Sequence, residues 1–261
     1  SGIVPVGVFV IAHLFTNAQM LWGQPDASVN PEGMSVFQHE VDFIHSIPAL
    51  LFIEIALWGS IGFHAALGLV YTFTGHSNTK RYKYMDNWRY TLQRVTGIIA
   101  LVFIFLHIAT LRWRWDVVGW FTPFYGEGYQ APQLKGNEEL SDAKLALPLT
   151  AYALQYSWVV VAFYAVGAFA VVYHWSNGLW TSAITWGLTI SVGAQKRWGY
   201  ACAGLGVALT FFMTAAMVGA IVYDLETDTT AQQRQAMDYI VPEWRALYGL
   251  PAPDHAAGES S

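Results

Sequence analysis

The sequence predicts an all-α membrane protein built on five transmembrane helices. Three observations carry that expectation. Only 12% of the 261 residues are charged, where a soluble domain carries about 25%. Hydrophobic residues make up 54%, too many for polar side chains to coat a globule of this size, so lipid must cover part of the surface. Five apolar stretches also reach the roughly 20 residues needed to cross a hydrocarbon core. Twelve Trp and fourteen Tyr agree, because amphipathic rings gather at membrane interfaces.

The first span is expected over residues 3–22, the second over 47–73 and the third over 92–111. The fourth is expected over 149–174, with Ser176-Asn177-Gly178 reading as a helix stop, and the fifth over 200–223. The stretch 179–190 is short and studded with Ser, Thr and two Trp, which suits an interfacial segment better than a span. These spans form a membrane domain over residues 1–224. Residues 225–261 read as an extramembrane acidic tail, a surface segment followed by disorder.

Loop charge sets the orientation. The connection 23–46 holds Asp26, Glu32, Glu40 and Asp42 with no Lys or Arg, whereas the next holds Lys80, Arg81, Lys83, Arg89 and Arg94. The fourth connection ends in Lys196 and Arg197. The positive-inside rule then places the second and fourth connections and the N-terminus in the cytoplasm and the C-terminus outside. Arg112, Arg114, Lys135 and Lys144 in the third loop pull the other way, though the rule weakens as loops lengthen. The net charge of −5 comes with no basic stripe suited to nucleic acid. A single cysteine, Cys202, excludes an internal disulfide, a CxxC site, a haem attached through CxxCH and an iron–sulfur cluster ligated by this chain alone.

Four of the eight histidines fall within spans, one in each of the first four: His13, His64, His107 and His174. An ionisable residue inside a membrane is costly and marks a functional site by default. A neutral histidine bonded to a neighbouring helix is the plainer reading for any one of them. Depth separates the four into pairs, because a helix rises about 1.5 Å per residue. His13 and His107 lie nine and six residues before Trp22 and Trp113, where spans one and three emerge outside. His64 lies about ten residues before the inner end of span two, and His174 at the inner end of span four. Two histidines at one depth on different helices can supply both axial ligands of a haem iron, an arrangement that favours electron transfer. Gly68 follows His64 by four residues and Gly167 precedes His174 by seven, so each shares its histidine's face and leaves room for a macrocycle, as do Ala65 and Ala66. Zinc or copper would gather three or four ligands at one depth. His39, His45, His76 and His255 read as surface residues of loops or tail.

Haem propionates need cationic or polar donors. Gln93, Arg94, Arg89, Lys196 and Arg197 are candidates on the inner side, and Arg112, Trp113 and Arg114 on the outer. Interfacial anchoring explains the same residues equally well. Glu54 sits inside span two, ten residues outward of His64. Its carboxyl must be protonated, paired or facing a polar cavity, and it is a candidate for an outer-side proton path or quinone pocket beside His13 and His107.

These residues resemble a known family. The stretches Gly2-Ile3-Val4-Pro5-Val6-Gly7 with Ala12-His13-Leu14, then Glu54 and Phe63-His64-Ala65-Ala66-Leu67-Gly68, open the match. Leu92-Gln93-Arg94-Val95-Thr96-Gly97, Phe105-Leu106-His107 and Tyr173-His174-Trp175-Ser176-Asn177-Gly178-Leu179-Trp180 complete it. In order and spacing the chain is similar to the cytochrome b membrane anchor of succinate:quinone oxidoreductases, the single-polypeptide type with five helices and two haems b. The resemblance implies a flavoprotein and an iron–sulfur subunit on the cytoplasmic face of a bacterial inner membrane. It also implies electron exchange between the succinate/fumarate couple and a membrane quinone, often menaquinone. Its ligand pattern assigns His64 and His174 to the haem nearer the iron–sulfur subunit, and His13 and His107 to the distal one. Relatives of this kind carry a short basic segment ahead of the Ser-Gly found here, so residues are expected to precede Ser1. The third loop, 112–148, and the tail are longer than the family's compact form. Alternative readings are a cytochrome b subunit of another quinone-linked dehydrogenase or hydrogenase, and a haem-free proton-coupled transporter.

Overall fold

A computed structural model describes residues 2–23, 35–76, 79–81, 84–111, 144–241 and 243–253, and every regular element among them is helical. In chain order these are α1 (Ile3–Trp22), α2 (Val36–Ser46), α3 (Leu50–Thr74), α4 (Met85–Leu111), α5 (Ala146–Tyr156), α6 (Trp158–Thr185), α7 (Val192–Val222), α8 (Ala231–Ile240) and α9 (Trp244–Leu247). Five of them, α1, α3, α4, α6 and α7, are long and apolar enough to cross a membrane. The most apolar stretch of α3 buries no residue against protein; Phe52 and Phe73 are 74% and 79% exposed. Apolar surface on that scale requires an apolar solvent. The protein is a multi-pass membrane protein.

The first two spans lie close to their expected places, the third begins seven residues early at Met85, and the last two are displaced. The expected fourth span divides at Ser157, which is extended (φ −151°, ψ 126°) and closes α5. Its Oγ accepts the backbone N–H of Val159 at 3.2 Å, so the same residue opens α6. Nor does the helix stop at Ser176-Asn177-Gly178. Asn side chains end helices by bonding to nearby backbone, but the Asn177 amide is engaged by side chains of α4. The helix runs on to Thr185, taking in the first half of the expected interfacial stretch. There Gly187 adopts φ 72°, and Leu188 N–H donates to Ala183 O at 2.9 Å, a glycine-dependent helix stop. α7 begins eight residues earlier than expected, with Ser191 Oγ accepting Ala194 N–H at 3.2 Å, so Lys196 and Arg197 lie in its opening turns. His39 and His45 belong to α2 rather than to a loop.

The chain forms two compact units. One comprises residues 1–15, 46–105 and 164–214. Within it the Trp175 indole packs on Gly7, where any side chain would collide with the ring, and Nε1 donates to Ile3 O at 3.0 Å. Phe103 similarly occupies the space above Gly167.

The other unit comprises residues 16–45, 106–163 and 215–261. Its core includes Leu147 and Tyr152 of α5, Leu225, Met237 of α8 and Trp244 of α9, all buried. Burying each such side chain contributes roughly 1.5–3 kcal/mol. α8 opens with a reciprocal cap between Thr230 and Gln233. Asp238 is buried, accepts Arg245 Nε–H and Nη2–H at 2.6 Å each and takes Trp244 Nε1–H at 2.9 Å. Tyr248 OH donates to Gln155 Oε1 at 2.9 Å and accepts Leu225 N–H at 3.1 Å, joining the segment after α7 to α5.

Candidate cofactor site

His64 projects from α3 and His174 from α6, ten residues before Thr74 and eleven before Thr185. Each therefore stands about 15 Å from its helix end. The two ring centroids are 5.9 Å apart and the planes cross at 77°. At that separation both imidazoles could hold one haem iron between α3 and α6.

The pair borders a cavity of about 430 Å³ whose walls include Gly68, Gln93, Arg94 and Gly97. Gly68 has nothing within 4 Å of where a Cβ would stand, so its missing side chain is cavity space, as its position after His64 predicts. Gly97 works differently. A Cβ there would come 2.8 Å from His174 Cε1, so the glycine lets the imidazole lie against α4. Gly167 leaves no room for a planar group, because Phe103 fills its place.

Gln93 holds His174 through two contacts and its near neighbour Asn177 through a third. His174 Nδ1 lies 2.9 Å from Gln93 O, and Gln93 Nε2 donates to His174 O at 2.9 Å. Gln93 Oε1 then accepts Asn177 Nδ2–H at 2.7 Å. Asn177 Oδ1 in turn accepts Arg89 Nε–H at 2.9 Å, and the Arg89 guanidinium lies 3.6 Å over the Trp180 ring. Both ends of the Gln93 amide are thus spent on α6. The sequence marks Gln93 as a propionate donor and Asn177 as part of a helix stop, so it misses this latch; Gln93 opens the expected third span, and no local signal there names a partner on another helix.

Arg94 Nη2 donates to the carbonyl oxygens of Thr72 and Gly75, tying α4 to the end of α3. Its Nε is buried with no hydrogen-bond partner, and the residue lines the cavity. A cation hydrogen-bonded to carbonyls, 5.4 Å over the Tyr90 ring and beside a cavity, suits an acidic group entering from that cavity.

Of the remaining candidates, His13, Glu54 and Arg197 belong to the same unit and do not line this cavity. His13 stacks on Phe9 with ring centroids 5.1 Å apart, and His107 O accepts the Thr110 hydroxyl at 3.1 Å. These two histidines fall in different compact units, and their pairing rests on the sequence alone. Glu54 is half-buried on α3, and Arg197 is exposed on α7 and does not border the cavity. Arg112 and Trp113 lie outside the described residues.

Over 211 residues the chain is 31% identical to the succinate dehydrogenase cytochrome b558 subunit of Bacillus subtilis (strain 168), covering 80% of this chain and 87% of that protein. The chain belongs to the family of succinate dehydrogenase cytochrome b subunits. No family model matches the chain. No solved structure matches it either. The family's cytochrome chemistry demands ligands for an iron in the membrane, and the fit can be tested on this chain. Two facing imidazoles, a void at Gly68 and an unpartnered Arg94 Nε beside the same cavity suit a flat acidic macrocycle.

Proposed function

We propose that the chain is the membrane anchor and electron-transfer subunit of a succinate:quinone oxidoreductase. It passes electrons between a partner iron–sulfur subunit and membrane quinone through two bis-histidine haems b. The observation that carries this reading is the 5.9 Å His64–His174 pair beside its cavity. Among the described residues no three His, Cys, Asp or Glu side chains gather as metal ligands. His64 and His174 would be the two protein ligands of a haem iron, which would supply the one-electron chemistry.

His64 and His174 hold the haem nearer the iron–sulfur subunit, and His13 and His107 the distal one. Haem iron with two imidazole ligands supplies one-electron transfer without an open position for oxygen. Gln93 O accepts His174 Nδ1–H, which leaves Nε2 for iron and fixes the ring. Arg94 offers Nε–H to a propionate, while Gln93 serves as the positioning residue; Arg112, Trp113 and Arg197 are the further propionate candidates. Glu54 belongs to a distal proton path or quinone pocket, and the quinone is menaquinone. The flavoprotein and iron–sulfur subunits dock on the cytoplasmic face of a bacterial inner membrane, with the N-terminus inside and the C-terminus outside.

The test is a dithionite-reduced minus oxidised spectrum with haem quantitation on wild type, His64→Ala and His107→Ala. Two low-spin haems b are expected in wild type, each variant losing a different one. An absence of haem from wild type overturns the proposal.

A further inference from the structure

A second cavity, of about 400 Å³, lies between α6 and α7 and shares no lining residue with the histidine site. Phe169, Tyr173 and Ser176 form its α6 wall, and Ala203, Gly206 and Thr210 its α7 wall. From Ala203 to Thr210 the slot follows α7 for about 10 Å, with walls that are mainly apolar. Two polar features break that character.

The first is Ser176. The residue is 7% exposed and its Oγ has no hydrogen-bond partner. Gly206 faces it, and a Cβ there would approach Oγ to 3.0 Å, so the glycine leaves the hydroxyl its space. A buried hydroxyl without a partner is costly, and an occupant with an acceptor oxygen would satisfy it.

The second is Arg89, which also borders the slot. Asn177 and Trp180 fix its guanidinium, and among the described residues no carboxylate pairs with it. Trp180 Nε1 donates to Gln195 O at 3.0 Å, next to the exposed cations Lys196 and Arg197. Among the residues lining this mainly apolar slot, Arg89 supplies the positive charge.

We propose that this slot binds an anionic phospholipid. One acyl chain lies between α6 and α7, the phosphate meets the Arg89 guanidinium, and a glycerol-ester carbonyl accepts the Ser176 hydroxyl. Full positive charge and a planar fork suit a phosphate, whereas a neutral quinone ring gains little from the charge. Basic pockets between membrane helices recognise anionic headgroups by this chemistry.

The experiment is native mass spectrometry of the detergent-purified protein with added phosphatidylglycerol or phosphatidylcholine, comparing wild type, Arg89→Gln and Ala203→Phe. Ala203 is exposed, so phenylalanine fills the slot without entering the protein core. Wild type is expected to retain phosphatidylglycerol over phosphatidylcholine by about fivefold. Arg89→Gln should bring that ratio to near unity, and Ala203→Phe should lose the tight adduct of either lipid. No preference in wild type, or a preference unchanged in both variants, overturns the proposal. So does a co-purifying adduct of quinone mass that both variants lose.

Discussion

The Nδ1 atom of His174 lies 2.9 Å from the backbone carbonyl oxygen of Gln93. Only a protonated Nδ1 can donate to a carbonyl, so the neutral imidazole keeps its lone pair on Nε2. The same glutamine's side chain bonds to the His174 carbonyl and to Asn177. One residue of α4 thus sets the tautomer and the orientation of a ring on α6.

Replacing Gln93 by leucine keeps the backbone acceptor and removes the side-chain latch. Haem affinity at one site should fall about 10-fold, with one of the two redox titration waves shifted and the other unchanged. Spectra and potentiometry identical to wild type would show that the latch does not act on the ligand.

Gly68→Leu separates cofactor exclusion from misfolding. Nothing lies within 4 Å of the position its Cβ would take, so the variant should insert and fold while losing one of two haems. Gly97→Leu must instead displace the His174 ring and should lose the same haem with lower thermal stability. Full haem content in Gly68→Leu would mean that the cavity beside His64 and His174 is not where the macrocycle sits.

Glu54→Gln should slow quinone reduction and flatten its pH dependence while leaving the haem spectrum intact. Steady-state quinone turnover across pH decides this; an unchanged profile removes Glu54 from the proton path.

Tyr248→Phe deletes the hydroxyl shared by Gln155 and Leu225 N–H. Leu225 is fully buried, so stranding its N–H should cost about 1–3 kcal/mol. Thermal unfolding with the haem content monitored in parallel measures this; an unchanged midpoint would mean that the segment after α7 is held by its apolar contacts alone.

Tyr152, Tyr223 and Tyr248 all ionise above the ordinary tyrosine value of 10.0. Burial is the leading cause for each, aided by the negative charge of Glu243 near Tyr152 and of Asp228 near Tyr223. A folded-state value above the unfolded one means that the fold prefers the protonated phenol. The stabilisation is fully present below pH 10 and is lost as pH rises beyond it. Alkaline unfolding should therefore begin above pH 10 and be shallower in Tyr223→Phe, read by tyrosinate absorbance beside helicity.

The expected depths match His64 with His174 for a partly mistaken reason. Ser176-Asn177-Gly178 reads as a helix end just after His174, yet α6 continues to Thr185. The two rings still come within 5.9 Å of each other, since α3 also ends ten residues beyond His64. Asn177 cannot be read locally, because its stop signal is cancelled by Gln93 and Arg89, more than eighty residues away in sequence. Gly68 and Gly167 look alike in sequence, but one faces a void and the other a phenylalanine.

What the sequence by itself determines is the set of five spans, because crossing lipid depends only on length and apolarity within one segment. It also determines that four histidines lie inside them. The tertiary structure decides which polar groups meet: that His64 faces His174, that Gln93 latches rather than reaches, and that Arg94 keeps a nitrogen unpartnered. Such contacts depend on how helices far apart in sequence rotate against each other, and no single segment encodes that rotation.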